Sequence, residues 1–349
     1  MSNFFEIKNG TFKAGGKEKI FDLSLKIENE GDIVCLLGPS GIGKTTILRS
    51  IAGLEKITNG EIFLKDLLLS SKNTNIEPEK RNISLSFQEN SLFPHHTVHK
   101  NIMLGVPKTG SKKIDVNEII NILGINHILE KYPHQISAGE AQRTSLARSL
   151  CAEPDLLLLD EPLSNIDENF KEEIQRNLKK IIKDYKITTI IVTHDSYEAF
   201  YLGDKCGVIL DQTLKQFDTP YNIYHLPNSI EVVEFLNRGV LIPAKVTSPK
   251  SLENDELGTI TGNFAKPISI GSEVKLLLQP EDLHHDDKSN LKFDVVDKKF
   301  KGANFIYTLR TQKNYFLPVL VESHHIHQHK INDKFGLKKP IHIEHIVCF

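Results

Sequence analysis

Up to about residue 236 the chain alternates short apolar runs with longer segments of helical period. Residues 33–37, 83–87, 156–159, 189–192 and 208–210 form these runs, and several of them are apolar at consecutive positions. Strands that are apolar on both faces suit the middle of a parallel sheet covered on both sides. Between the runs, residues 45–54 place Ile47, Leu48, Ile51 and Leu54 on one face of a helix. This alternation predicts an α/β architecture.

The texture changes near residues 237–242. Short strand-like pieces follow at residues 259–262, 274–278, 291–296, 305–310, 316–321 and 341–348, separated by Gly, Pro, Asn and Asp. That spacing predicts a small all-β domain, a sandwich or barrel. The expected division is 1–238 and 239–349, with no low-complexity linker and no internal repeat.

Composition adds limits. The 349 residues are 39% hydrophobic and 25% charged, an ordinary globular balance. The net charge of -2 gives no broad basic surface for nucleic acid. No apolar run reaches the roughly 18 residues of a membrane helix, and no signal peptide is expected at the start. Cys35, Cys151, Cys206 and Cys348 are scattered and form no C-x-x-C pair, which suits reduced thiols rather than a disulfide or zinc framework.

The strongest chemical motif is Gly38-Pro39-Ser40-Gly41-Ile42-Gly43-Lys44-Thr45, which matches G-x-x-x-x-G-K-[ST] between a strand and a helix. Backbone N–H groups and the helix N-terminus would face phosphate oxygens there. Lys44 would reach the β- and γ-phosphates of ATP, Thr45 would offer its hydroxyl to Mg²⁺, and Thr46 lies within reach of the phosphates. A second motif ends the apolar run 156–159 in Asp160 and Glu161. Strand alternation would aim these two acids at opposite faces, Asp160 at Mg²⁺ and Glu161 at the space beyond the γ-phosphate. Glu161 is then the candidate catalytic base for the attacking water. His194 and Gln88 also end strands, where open α/β sheets bind ligands.

Ile136-Ser137-Ala138-Gly139-Glu140-Ala141-Gln142-Arg143 decides the class. It looks like the L-S-G-G-Q signature and following helix of the ATP-binding cassette (ABC) ATPases, and the chain resembles that family over about residues 3–237. The resemblance implies a P-loop NTPase cassette: a RecA-like core with a helical subdomain at about 89–153. It implies a head-to-tail homodimer in which Ser137, Ala138, Gly139 and Glu140 meet the partner's ATP. Ala138 stands where the signature has glycine and Glu140 where it has glutamine. Glu140 would bring a negative charge toward phosphate unless it folds back on Ser137, with which it has capping-box spacing. Gln88 matches the Q-loop, a Mg²⁺ ligand that senses the permease. Residues 163–167 match the D-loop, and His194 the switch histidine on the γ-phosphate, a second catalytic residue. Phe12 is the expected adenine-stacking ring, with Phe4 and Phe5 as alternatives beside an insertion at Gly15-Gly16.

The β-rich tail resembles the regulatory (TOBE-like, OB-like) domain of importer ATPases for sugars, polyamines, sulfate and ferric iron. Gln279-Pro280-Glu281-Asp282 looks like a tail motif that usually begins with arginine. His285-Asp286-Asp287, Phe300-Lys301-Gly302, Tyr307-Thr308-Leu309-Arg310 and His324-His325 look most like the ferric-iron branch. By that resemblance the partners are two permease subunits and a periplasmic or lipid-anchored substrate-binding protein, with the chain peripheral on the cytoplasmic face of the inner or plasma membrane. The histidines His324, His325, His327 and His329 have donors for a transition metal, but no carboxylate or cysteine framework lies beside them, and they read as a polar loop. A soluble cassette acting on ribosomes or DNA usually carries two cassettes or a coiled-coil insertion, and this chain has neither. A non-hydrolysing regulatory subunit would not need Lys44, Asp160, Glu161 and His194 together.

Overall fold

The structure, a computed structural model, describes residues 3–14, 17–86, 92–108, 114–166, 168–324 and 329–349. The chain divides into two compact units, Met1–Ile223 and Tyr224–Phe349.

The first unit begins with β1 (Phe5–Ala14), β2 (Lys17–Ile27), β3 (Ile33–Leu37), α1 (Lys44–Ile51), β4 (Ile57–Leu64), β5 (Leu67–Ser71) and β6 (Ile83–Ser86). A helical stretch follows: α2 (Val98–Met103), α3 (Val116–Ile122) and α4 (Ala138–Leu150). The chain continues through β7 (Leu156–Asp160), α5 (Glu168–Asp184), β8 (Thr188–Thr193), α6 (Ser196–Leu202), β9 (Lys205–Leu210) and β10 (Thr213–Asp218). No helix among the described residues is long and apolar enough to cross a membrane.

The consecutive apolar runs become the core sheet, ordered β10-β9-β3-β8-β7-β6, parallel except for β10. Every residue of β3, β7 and β8 is buried, as strands covered on both faces must be. Strand register aligns the chemistry-bearing ends. Leu37 pairs with Thr193, and Asp160 with Val192. The carboxyl ends of β3, β7 and β8 therefore lie level, and the residues just after them share one edge of the sheet.

Strands β2-β1-β4-β5 form a second, antiparallel sheet. It closes one core with α1 and the parallel sheet, including Phe5, Ile7, Phe12, Ile47, Ile51, Leu158 and Val192. The sequence reading found helical and parallel-strand patterns here and missed this sheet, because its strands alternate apolar and polar positions and carry bulges that break the alternation. Arg81, 2% exposed, joins the two layers. Its guanidinium donates to the carbonyls of Ser50 and Ile51 at the end of α1, to Leu69 O and Ile76 O, and to Ser70 Oγ and Asn75 Oδ1. Burial pushes its pKa down to about 10.

The second unit is β-rich, as the change of texture near residue 240 predicts. One sheet runs in the order β14-β11-β12-β13-β19: β11 (Val240–Ser248), β12 (Ser251–Asn254), β13 (Gly258–Phe264), β14 (Glu273–Leu278) and β19 (Ile341–Ile346). The other runs β17-β16-β15-β18: β15 (Lys292–Phe300), β16 (Asn304–Arg310), β17 (Phe316–Glu322) and β18 (Lys334–Gly336). Both sheets contribute to one core, with Leu252, Ile260, Leu276, Val295, Tyr307, Leu309, Val319 and Phe335 among its buried residues. The contacts divide the chain earlier than the expected 238. A helix preceding β11, α7 (Ile230–Leu236), turns Val233 onto Leu277 and Val347 of this unit.

Candidate active site

The level edge of the core sheet carries the chemistry. After β3, the chain curls through Gly38–Gly43 into α1. Gly43 caps the helix at φ 116°, a conformation that L side chains rarely adopt, and it makes no side-chain cap hydrogen bond. The first N–H groups of α1 are thus left for an anion. Gly38 has a different reason: a β-carbon there would lie 2.6 Å from the carbonyl oxygen of Ile209. Ile42 packs on the core and fixes the loop from inside.

Lys44 is 6% exposed, and its Nζ donates to the loop carbonyls of Gly38 at 2.7 Å and Pro39 at 3.0 Å. Burial pushes its pKa down, opposed by the nearby carboxylates of Glu161 and Asp160. Asp160, 5% exposed at the end of β7, has its carboxyl pushed up by burial, while a hydrogen bond from Thr45 acts the other way. Ser40, Gly41, Gly43, Lys44, Thr45, Thr46, Asp160 and Glu161 line one cleft of about 300 Å³.

Strand alternation does not hold at the acid pair. Glu161 has φ 46°, left-handed for a non-glycine residue, and it precedes Pro162. Its N–H donates to Val192 O at 3.0 Å as the chain leaves the strand. This turn brings Glu161 into the same cleft as Asp160 instead of sending it to the opposite face. Backbone held in such a sparse region clusters at functional sites. Glu161 Oε1 lies 3.0 Å from His194 Nδ1, so the residues following β7 and β8 are joined.

A third residue holds this turn. Gln142, 4% exposed on α4, donates from Nε2 to Glu161 O at 2.9 Å and accepts from Asn165 N at 3.2 Å through Oε1. Ser164 N and Oγ also donate to Glu161 O, at 3.2 and 3.1 Å. No local sequence pattern marks Gln142 for this role, because both of its partners lie some twenty residues away.

At the head of α4, Ser137 Oγ accepts from Glu140 N at 3.2 Å, and Glu140 Oε2 accepts from Ser137 N at 2.8 Å. His127 Nε2 lies 3.0 Å from Glu140 Oε1. The Ser137 N–H holds the Glu140 carboxyl below its ordinary range. The extra acid thus folds back as a cap. Gly139 lets the backbone of Asn165 approach, since a β-carbon would meet Asn165 O at 3.0 Å.

The family model for ABC transporters matches residues 20–164. An Fe(3+) ions import ATP-binding protein of Haemophilus influenzae is 36% identical over 270 residues, 76% of this chain and 74% of the relative. The sn-glycerol-3-phosphate import ATP-binding protein of Psychromonas ingrahamii is 37% identical over 280 residues, 78% of this chain and 73% of the relative. The chain belongs to the ABC transporter ATPases. A solved dimeric ATP-binding cassette in a post-hydrolysis state, bound to ADP and phosphate, superposes with a TM-score of 0.53 and 26% identity, over 62% of this chain and 98% of that one. Like its relatives, this ABC protein is an ATPase.

The cassette motifs fall into three groups in the structure. The loop 38–46, Asp160, Glu161 and His194 come together at the sheet edge. Ser137, Ala138, Gly139 and Glu140 do not line that cleft and present their own helix end. Gln88, Asp167, His325, His327 and the Gly15-Gly16 pair lie outside the described residues. Phe12 requires a correction: it is 0% exposed and packed in the core, paired with Ile20 and Ile57, so its ring offers no face to adenine. Phe5 is buried in the same way. Phe4 is partly exposed, beside Lys65.

The acids suit a cation that ATP would bring. A buried carboxyl at Asp160, pushed up by burial and bonded to the Thr45 hydroxyl, gains by facing a positive charge. Those two are oxygen donors of the kind Mg²⁺ takes.

Proposed function

We propose that this chain is the ATP-hydrolysing motor subunit of an ABC importer, and that its cargo is ferric iron. The observation that supports the motor reading is the level edge of the sheet, where Lys44, Asp160 and Glu161 line one cleft and His194 is joined to Glu161. ATP would lie with its phosphates on the loop 38–46, and Mg²⁺ would be held by Thr45 and Asp160, with Gln88 as a further ligand. Mg²⁺ would neutralise charge on the phosphates. Glu161 would polarise the attacking water, and His194, 3.0 Å away, would orient that carboxylate and contact the γ-phosphate. The signature residues 137–140, outside this cleft, would close the site from a second copy, as a head-to-tail dimer requires. Two permease subunits, an external substrate-binding protein and a peripheral position on the inner face of the membrane complete the assembly.

The ferric-iron reading rests on the second unit as well as the first. An Fe(3+) ions import ATP-binding protein of Fusobacterium nucleatum aligns over 93% of this chain at 31% identity. Two relatives named for spermidine/putrescine import are 37% and 33% identical over 81% and 85% of the chain, and one named for maltose import is 38% identical over 75%. Labelled ferric-iron uptake in cells lacking this chain tests both levels, with complementation by wild type or Glu161→Gln. Recovery with wild type alone supports motor and cargo together. Equal uptake in all three strains removes iron as the cargo and sends the test to polyamine, sugar, glycerol phosphate and sulfate uptake.

A further inference from the structure

Two loops of the β-rich unit bring three metal-binding side chains to one point. His285 Nε2 and His329 Nε2 are 2.9 Å apart. Asp287 Oδ1 lies 3.0 Å from the first and 3.3 Å from the second. The imidazoles are largely buried, with side chains 6% and 13% exposed, while Asp287 is 38% exposed. Phe335 lies against both rings, at 4.5 and 4.8 Å between centroids. The sequence cluster offered His329 without a carboxylate. The fold supplies one from the other loop.

A cation between the three atoms would accept a lone pair from each of them. With bonds of about 2.0–2.2 Å, ligands at a right angle stand about 3 Å apart and ligands at the tetrahedral angle about 3.4 Å apart. The observed edges of 2.9, 3.0 and 3.3 Å fall in that span. Two imidazoles and one carboxylate on a triangular face, with positions left open, suit a divalent first-row transition ion such as Zn²⁺ or Fe²⁺. Mg²⁺ and Ca²⁺ prefer all-oxygen shells.

Both loops are held by backbone bonds to neighbouring strands. Asp286 N donates to Gly336 O and Lys338 N to His284 O, at 2.9 and 2.8 Å. A β-carbon on Gly336 would come within 2.1 Å of Asp286 O, so glycine permits that approach. On the other side, Asn332 N donates to Val295 O and Val295 N to Asp333 O, while Lys298 Nζ donates to His329 O. Ligands pre-positioned in this way lose little freedom on binding.

We infer that His285, Asp287 and His329 bind one divalent first-row transition-metal ion, which clasps the turn after His329 to the 284–287 segment. This site shares no residue with the ATP cleft and does not depend on the cargo.

The test uses the full chain without an affinity tag, stripped with chelator and kept free of nucleotide in excess Mg²⁺. Co²⁺ is titrated by its visible absorption, Zn²⁺ is used to displace it, and bound metal per chain is measured by equilibrium dialysis. Wild type and the control His324→Ala, outside the triad, are expected to bind one ion per chain. Asp287→Asn should weaken binding at least about tenfold and His329→Ala about a hundredfold or more, since even outer-shell partners are worth 10- to 100-fold. Thermal melts of the metal-free proteins check folding. If His329→Ala does not fold, Asp287→Asn decides, because that side chain is partly exposed. Substoichiometric binding by wild type, loss in His324→Ala, or wild-type affinity in Asp287→Asn overturns the site.

Discussion

Gln142 reaches from the second turn of the signature helix to the main-chain carbonyl of Glu161, with Nε2 2.9 Å from the oxygen. Its other amide atom accepts from Asn165 N in the loop beyond. A single buried side chain thus couples the head of α4, the strained turn at Glu161 and the loop after it.

Gln142→Leu keeps the size of the side chain and removes both bonds. The part-buried Asn165 N–H loses its partner and Glu161 O loses one of its donors, a cost of about 1 kcal/mol, which a urea unfolding curve will show. Because the bond positions the carboxylate, ATP hydrolysis should fall by about tenfold or more, as small misplacements do. A loss of stability with an unchanged rate would reduce the bridge to a structural role.

Glu198 supplies a pH dependence. It is 3% exposed on α6, accepts from the Thr193 hydroxyl at 2.8 Å, and has Oε1 without a hydrogen-bond partner. Burial pushes its carboxyl up to about 7. The folded state then holds a proton that the unfolded state has lost, so stability falls as pH rises from about 4.5 to 7 and levels off above that. The whole change is about 3 kcal/mol. Glu198→Gln should flatten that stretch of the stability-pH curve and stabilise the protein at pH about 8. A wild-type curve that rises over the same interval would contradict the assignment.

The capping pair titrates in the opposite sense. Glu140 is held below its ordinary range by the Ser137 N–H, so its contribution is present at neutral pH and lost as pH falls through its folded value. Glu140→Gln restores the usual signature residue and trades a charged acceptor for a neutral one. It should cost about 0.5–1 kcal/mol at neutral pH and almost nothing in acid, read from denaturation midpoints at both ends.

Phe12→Leu separates core packing from nucleotide stacking. With the ring fully buried, the change should cost about 1–2 kcal/mol of stability while ATP affinity, measured by calorimetry, stays within twofold. A large loss of affinity in a protein that still melts near the wild-type temperature would place Phe12 at the adenine after all.

The sequence made the chemistry of the sheet edge legible because each motif is local. A glycine loop, an apolar run ending in acids and a histidine after a strand announce themselves within a few residues. What joins them is not local. Glu161 enters the cleft through a left-handed turn that strand alternation does not foresee. Gln142 and Arg81 act across the fold, and neither spacing nor periodicity says what a buried polar residue will touch. Phe12 was misread because an aromatic upstream of the loop looks the same in a core as on a surface. Asp287 and His329 became partners only once two loops of a β-fold were closed on each other.

Arg81 makes α1 a braced strut. Its guanidinium ties the last carbonyls of the helix to the antiparallel sheet, and Gly53 leaves no room for a β-carbon against it. The opposite end, at Gly43, has no side-chain cap. In the proposed function, a pull on that end by bound phosphate would be carried along the helix into the sheet.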